Sequence, residues 1–206
     1  MRSEDTNERD ARTDALRAGK EAIRLLMRER RRAMTAEWVA EASARIEESV
    51  IGLPEFERAA TVCIYMATGT EVRTDRIVAA CRRAARRVCV PAFSPERRGY
   101  VAAWLEADER VIAGPARVMQ PATPVRVDAP VDLAVVPGLA FDPNGGRLGH
   151  GKGHYDRLLA SSVFDGAWKV GIGFDCQIVA KIPTGEHDVR MDAVVSETAI
   201  HRSPSG

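Results

Sequence analysis

The chain has 206 residues and a mass of 22.5 kDa, the size of one ordinary domain that folds without disulfide or metal staples. Hydrophobic residues make up 45% and charged residues 29%, the balance of a packed, water-soluble chain. Thirty Lys and Arg against 29 Asp and Glu leave a formal charge of +1, which argues against a dedicated nucleic-acid binder, and no apolar run approaches the roughly 18–20 residues of a membrane span.

Residues 1–12 carry Glu4, Asp5, Glu8 and Asp10 and no apolar side chain beyond Met1 and Ala11. A secretory signal needs an apolar core and a transit peptide is poor in acids, so neither fits. An unstructured tail is expected over 1–12, followed by a single domain over 13–203. From Thr13 the pattern turns helical: Leu16, Ile23 and Met27 recur on one face, with Lys20, Arg24 and Arg28 on a neighbouring stripe. A second helix is predicted from Thr35 with Val39, Ala42, Ile46 and Val50 inward, stopped by Gly52-Leu53-Pro54.

Strand and helix then alternate. Thr61–Met66 is β-branched and aromatic and reads as a strand; Asp75 is placed as the N-cap of a helix whose apolar stripe is Ile77, Val78, Cys81 and Ala85. Short strands are predicted at Val88–Val90 and Tyr100–Leu105. Val131–Val136, apolar on both faces, suits a buried central parallel strand. A glycine-rich loop from Gly138 to Gly153 leads into a helix over about Tyr155–Ser162, and strands follow at Lys169–Phe174 and Ala193–Val195. Such alternation implies right-handed crossovers and an α/β fold, a Rossmann-like three-layer sandwich around a mostly parallel sheet. The four cysteines, Cys63, Cys81, Cys89 and Cys176, show no metal-ligand spacing; they read as reduced thiols of a cytoplasmic protein.

The segment Pro137–Arg157, PGLAFDPNGGRLGHGKGHYDR, holds Gly145, Gly146, Gly149, Gly151 and Gly153 interleaved with Arg147, His150 and Lys152. Glycines allow inward-turned amides, successive N–H groups make an anion nest, and a helix start just beyond adds its dipole. That dipole is worth only about 0.3–1 kcal/mol at an exposed site, so tight phosphate binding also needs fixed charges, which Arg147 and Lys152 supply. A Walker A loop is rejected: Gly153 stands where Ser or Thr must ligate magnesium, and the segment does not follow its strand directly. Asp156 beside the nest is the natural magnesium ligand, its plainer reading being a first-turn Asp on the helix dipole. Glu186-His187-Asp188 with Asp192 reads, unaided, as a polar turn. The clusters Arg30-Arg31-Arg32, Arg82-Arg83 and Arg86-Arg87 read as solvated helix faces, since three Tyr and five Phe offer a nucleic-acid surface little stacking area.

The segment resembles the signature of the 5-formyltetrahydrofolate cyclo-ligase family, PG-x-AFD…G-x-RLG-x-G-x-GYYDR, departing from it mainly at His154. Three further blocks match in order: Lys20 and Arg24 as K-x-x-x-R; Tyr65 with Glu71-Val72-x-Thr74 as Y…EV-x-T; and Gln177, Pro183, His187-Asp188 and Asp192 as Q…P…HD-x-x-x-D. The resemblance implies ATP- and magnesium-dependent cyclisation of 5-formyltetrahydrofolate to 5,10-methenyltetrahydrofolate with release of ADP and phosphate. The formyl oxygen would be phosphorylated and N10 would close the ring. It further implies ATP contacts from Lys20, Arg24 and Arg147–Tyr155, that is Arg147, Leu148, Gly149, His150, Gly151, Lys152, Gly153, His154 and Tyr155. Folate would meet Met66, Glu71 and His150–His154, Mg2+ would meet Asp156 and Asp192, and Arg147 and Lys152 would neutralise charge during transfer. A monomer acting on small molecules is expected, with neither nucleic acid nor membrane as partner. The alternative is a non-catalytic nucleotide- or folate-binding relative.

Overall fold

Short runs that are apolar on both faces are stable only inside a sheet covered on both sides, and this chain supplies several in succession. In the computed structural model, which describes residues 2–115 and 118–204 with side chains from residue 13 onward, they assemble into one seven-stranded sheet. Its strands are β1 (Thr61–Ile64), β2 (Arg87–Ser94), β3 (Gly99–Trp104), β6 (Leu133–Pro137), β9 (Trp168–Ile172), β10 (Ala193–Val195) and β11 (Ile200–Arg202), in the order β11-β10-β9-β6-β1-β2-β3. The five inner strands run parallel, and β3 and β11 close the edges antiparallel. The mostly parallel α/β sandwich is therefore present.

Side chains alternate across the sheet with the period of two that strand geometry imposes. Val62 and Ile64 of β1, Leu133 and Val135 of β6, and Val170 and Ile172 of β9 point to one face. There they meet α2 (Ala36–Ile51), α3 (Pro54–Arg58) and α4 (Asp75–Arg83) through Ile46, Val50, Phe56 and Ile77. Cys63, Cys89, Ala134, Val136 and Val194 point to the other face, under Leu158 and Leu159 of α5 (His154–Leu159) and Phe164. Each such Leu, Ile or Phe removed from water contributes about 1.5–3 kcal/mol. A third, smaller cluster stands apart: Met27 of α1 (Arg2–Arg32) packs with Leu139, Ala140, Leu148 and Ile182.

Several boundaries differ from the sequence expectation for identifiable reasons. β1 stops at Ile64 because the Tyr65 carbonyl accepts from Thr74 Oγ1 at 2.8 Å, drawing the chain out of the sheet. Pro54 does not merely end α2. It opens α3, where a proline in the first turn forfeits no helical hydrogen bond. Thr74, and not Asp75, is the N-cap of α4. The helix expected over Tyr155–Ser162 is the shorter α5. Two small ribbons had no signal in the sequence, β4 (Val111–Ala113) with β5 (Met119–Pro121) and β7 (Ala140–Phe141) with β8 (Arg147–Leu148). The unstructured tail expected over residues 1–12 is replaced from Arg2 onward by the first turns of α1; the side chains of these residues lie outside those described.

Candidate active site

The sheet reverses its winding between β1 and β6, since the chain runs from β1 outward to β2 and β3 and then returns to the other side of β1. In open α/β sheets ligands bind beyond the carboxyl ends of the strands at such a switch point. A cavity of about 1200 Å³ opens there, touching Tyr65 and Met66 just past β1 and Pro137 and Gly138 at the end of β6. A site for one drug-sized ligand is typically about 300–1,000 Å³, so this volume suits two substrates side by side.

One wall is α1. Leu16, Lys20 and Arg24 face the cavity, while Ile23 and Met27 on the adjoining stripe dock the helix onto the small third cluster. Close approach to the 183–188 segment needs Gly19, where a Cβ would sit 3.2 Å from Pro183 Cγ. Lys20 Nζ lies 2.5 Å from Asp188 Oδ2. Arg24 Nε donates to the Gly149 carbonyl at 3.1 Å, and its guanidinium lies over Gly151, whose φ of +93° favours glycine.

The opposite wall is the segment after β1, and its hydrogen bonds account for the Y…EV-x-T block. The buried Tyr65 hydroxyl donates to the Val72 carbonyl at 2.7 Å, and Thr74 ties back to the Tyr65 carbonyl. The loop so pinned presents Met66, Thr68 and Glu71 to the cavity. Glu71 Oε2 accepts from the Thr68 N–H at 2.8 Å and from its hydroxyl at 3.1 Å. Thr68 is thus a positioning residue for Glu71, one that sequence reasoning missed; a hydroxyl three residues ahead of a carboxylate was the available signal.

The glycine-rich segment divides in two. Gly145 and Gly146 serve the β7–β8 turn and do not line the cavity: Asp142 Oδ1 accepts from the N–H groups of Asn144 and Gly146, both at 2.9 Å, and Asp142 Oδ2 from Ile182 at 2.7 Å. The remaining run, Arg147 to Asp156, lines the cavity throughout. Lys152 is exposed and has no hydrogen bond or ion pair among the described residues. Arg147 is placed differently from expectation. Its side chain is 3% exposed and its Nη2 lies 2.8 Å from Asp156 Oδ1, so its charge is spent on the carboxylate beneath the loop. Its Nε is a buried donor without a partner, the one such side-chain atom among the described residues.

Burial pushes the phenols of Tyr65 and Tyr155 well above their usual value, keeping both protonated. His150 and His154 are both shifted down. For His150 the cause is first desolvation and then Arg31, with Glu71 opposing; for His154 it is desolvation and then Arg157 and Lys152. His154 stacks edge-on against Tyr100 at 5.0 Å between ring centroids, and its Nδ1 lies 3.0 Å from Arg157 Nη2. Tyr100 also lines the cavity and carried no mark in the sequence.

Every residue singled out as a candidate ligand contact therefore borders this one cavity, except Asp192. Its carboxylate accepts from the Lys169 N–H at 2.6 Å, at the amino ends of β9 and β10, away from the carboxyl-end crevice, and so serves the sheet. The acidic residue that the same segment does bring to the cavity is Asp188, next in sequence to Val189, whose N–H lies 3.4 Å from Asp156 Oδ1.

Comparison with known proteins gives this arrangement a family. The model of the 5-formyltetrahydrofolate cyclo-ligase family matches residues 16–197. The chain belongs to that family. It is 30% identical over 179 residues to the 5-formyltetrahydrofolate cyclo-ligase of Escherichia coli strain K12, covering 85% of this chain and 98% of the relative. Against the mouse enzyme of the same name it is 28% identical over 191 residues, covering 87% and 94%. The Aquifex aeolicus 5,10-methenyltetrahydrofolate synthetase structure superposes with a TM-score of 0.78 at 27% identity, covering 91% of this cyclo-ligase family chain and 94% of the other. The match spans the α1 wall, the β1 loop, the glycine segment and the Asp188 region together.

Proposed function

We propose that this chain is an ATP-dependent 5-formyltetrahydrofolate cyclo-ligase, converting 5-formyltetrahydrofolate to 5,10-methenyltetrahydrofolate with release of ADP and phosphate. The observation that carries the reading is the gathering of all four family blocks around one two-substrate cavity at the switch point. The chemistry has two stages. Attack of the formyl oxygen on the γ-phosphorus expels ADP and leaves a formyl carbon with phosphate as its leaving group; N10 then adds to that carbon, closes the five-membered ring and releases its proton to water, and phosphate departs. Neither stage needs a protein nucleophile. What the protein contributes is positioning and charge neutralisation.

Lys20, Arg24 and Lys152 supply the positive charge for the phosphates, with Gly149, Gly151 and Gly153 letting them approach the backbone. Arg147 acts through Asp156, holding that carboxylate in place. On the other wall Glu71, with Oε2 fixed by Thr68, retains Oε1 to accept from the pterin's amino and ring N–H groups, beside Met66. Among the described residues no three His, Cys, Asp or Glu side chains cluster as a metal site. Magnesium, however, is usually held by one or two carboxylates plus substrate phosphates, and Asp156 and Asp188 on the cavity wall fit that need. Bound there, Mg2+ would screen the triphosphate and bridge it to the protein. No helix among the described residues is long and apolar enough to cross a membrane; we place the enzyme in the cytoplasm as a monomer that uses no nucleic acid.

The deciding experiment incubates purified protein with ATP, Mg2+ and 5-formyltetrahydrofolate. The methenyl chromophore should grow in step with ADP, one for one, and Asp156→Asn should reduce turnover at least 100-fold, about 3 kcal/mol of transition-state stabilisation, with an unchanged circular dichroism spectrum. Folded protein that releases no product would refute the assignment.

A further inference from the structure

Three ion pairs face the cavity: Glu21–Arg24 within α1, and Arg147–Asp156 and Lys20–Asp188, which join separate segments and are built differently. Arg147 is boxed in. Its side chain is 3% exposed, its Nη1 lies 3.4 Å from the Pro137 carbonyl, and a Cβ on Gly149 would come within 3.1 Å of it. It cannot leave Asp156 without a loop rearrangement. Lys20 sits on a flexible stem, is 16% exposed, and has Asp188 as the sole hydrogen-bond partner of its ammonium among the described residues. Asp188 is the fixed member: its Oδ2 also accepts from the Gly185 N–H at 2.7 Å, and its own N–H donates to the Gly185 carbonyl at 3.2 Å.

Deepening the ATP reading above and resting on it, we propose that the Lys20–Asp188 pair is an internal stopper of the phosphate end. Without a divalent cation, Asp188 occupies the ammonium that a triphosphate needs; when Mg2+ engages Asp188, Lys20 swings to the phosphates. Metal and nucleotide then enter as one coupled event, and each raises the affinity of the other by the same factor. A partly exposed pair of this kind is weak enough to exchange, whereas Arg147–Asp156 stays paired throughout.

The test is calorimetric titration of the full chain with ATP, without folate, in EDTA and in MgCl2. Wild type should bind ATP about tenfold or more tightly in Mg2+. Asp188→Asn should bind metal-free ATP about three- to tenfold more tightly than wild type, because the ammonium is released and a carboxylate removed, and its Mg2+ enhancement should shrink. Lys20→Ala should weaken binding about tenfold in Mg2+ and less than about twofold in EDTA, where the ammonium is already occupied. The gain from Asp188→Asn should shrink at least twofold in the Lys20→Ala background, to what the lost carboxylate alone gives. A gain of the same size there assigns the effect to plain repulsion and overturns the stopper, as does metal-free affinity that Asp188→Asn leaves equal or weaker. Should Asp188→Asn not fold, equal losses in EDTA and Mg2+ for Lys20→Ala overturn it. Wild type that binds no ATP in either buffer sinks the ATP reading itself, a distinguishable failure.

Discussion

Asp188 and Asp192 share one short polar segment, yet one carboxylate reaches the cavity and the other ties the starts of two strands. Sequence spacing could not separate them. A carboxylate that faces a phosphate site and one that accepts a main-chain N–H look alike until the strand register is known, and that register is set by residues 168–172, far along the chain. Losing Asp192 should therefore affect the fold and not the chemistry. Asp192→Ala forfeits the bond from Lys169 N–H; since water can replace an exposed partner, the cost is about 1 kcal/mol, or roughly 2–4 °C in Tm for a chain of this size. The Mg2+ concentration giving half-maximal turnover should stay where it is. A variant whose magnesium requirement rises with its Tm unchanged would return Asp192 to the metal site.

Elements in this fold borrow their ends from one another. Thr74 is the N-cap of α4, but its hydroxyl is used on the Tyr65 carbonyl, so no side-chain cap remains for that helix from its own residues. α2 supplies the replacement: Glu47, 3% exposed, accepts from the Arg76 N–H at 2.7 Å, and Ser43 Oγ accepts from the Arg73 N–H at 3.0 Å. The tie that shapes the folate side of the cavity thus depends on a brace from a neighbouring helix. The helices and central strands were legible because their apolar periodicity is local. The brace and the two-residue and three-residue ribbons were not, since their partners lie 29 or more residues away or their runs are too short to show a period. Burial raises the Glu47 carboxyl above its ordinary 4.5, against the opposing main-chain bonds. The folded state then binds more protons than the unfolded one, so stability falls as pH climbs from about 4.5 through the raised pKa and levels off above it. Glu47→Gln lacks that slope. Urea midpoints measured from pH 4 to pH 8 should diverge in the variant's favour across that window; parallel curves would show that the carboxyl is ordinary in the folded protein.

At the scale of the whole molecule the two substrate walls have different foundations. The β1-loop wall grows from the central sheet, with both large apolar clusters behind it. The α1 wall stands on the small third cluster, in which Met27 is fully buried against Leu139, Ala140, Leu148 and Ile182, helped by the Lys20–Asp188 and Arg24–Gly149 ties. Proteins open first where buried apolar contacts are few, so α1 should open separately from the sheet. Met27→Ala tests this directly. The cavity it leaves should cost about 2–4 kcal/mol, borne by α1 docking. Hydrogen exchange of the α1 amides should accelerate by roughly 30- to 900-fold, that energy converted at about 1.4 kcal/mol per decade, while the amides of β1, β6 and β9 keep their protection. Because α1 carries Lys20 and Arg24, KM for ATP should rise more than kcat falls. If sheet and helix amides lose protection together, α1 is part of one cooperative unit, and the cavity opens only when the whole molecule unfolds.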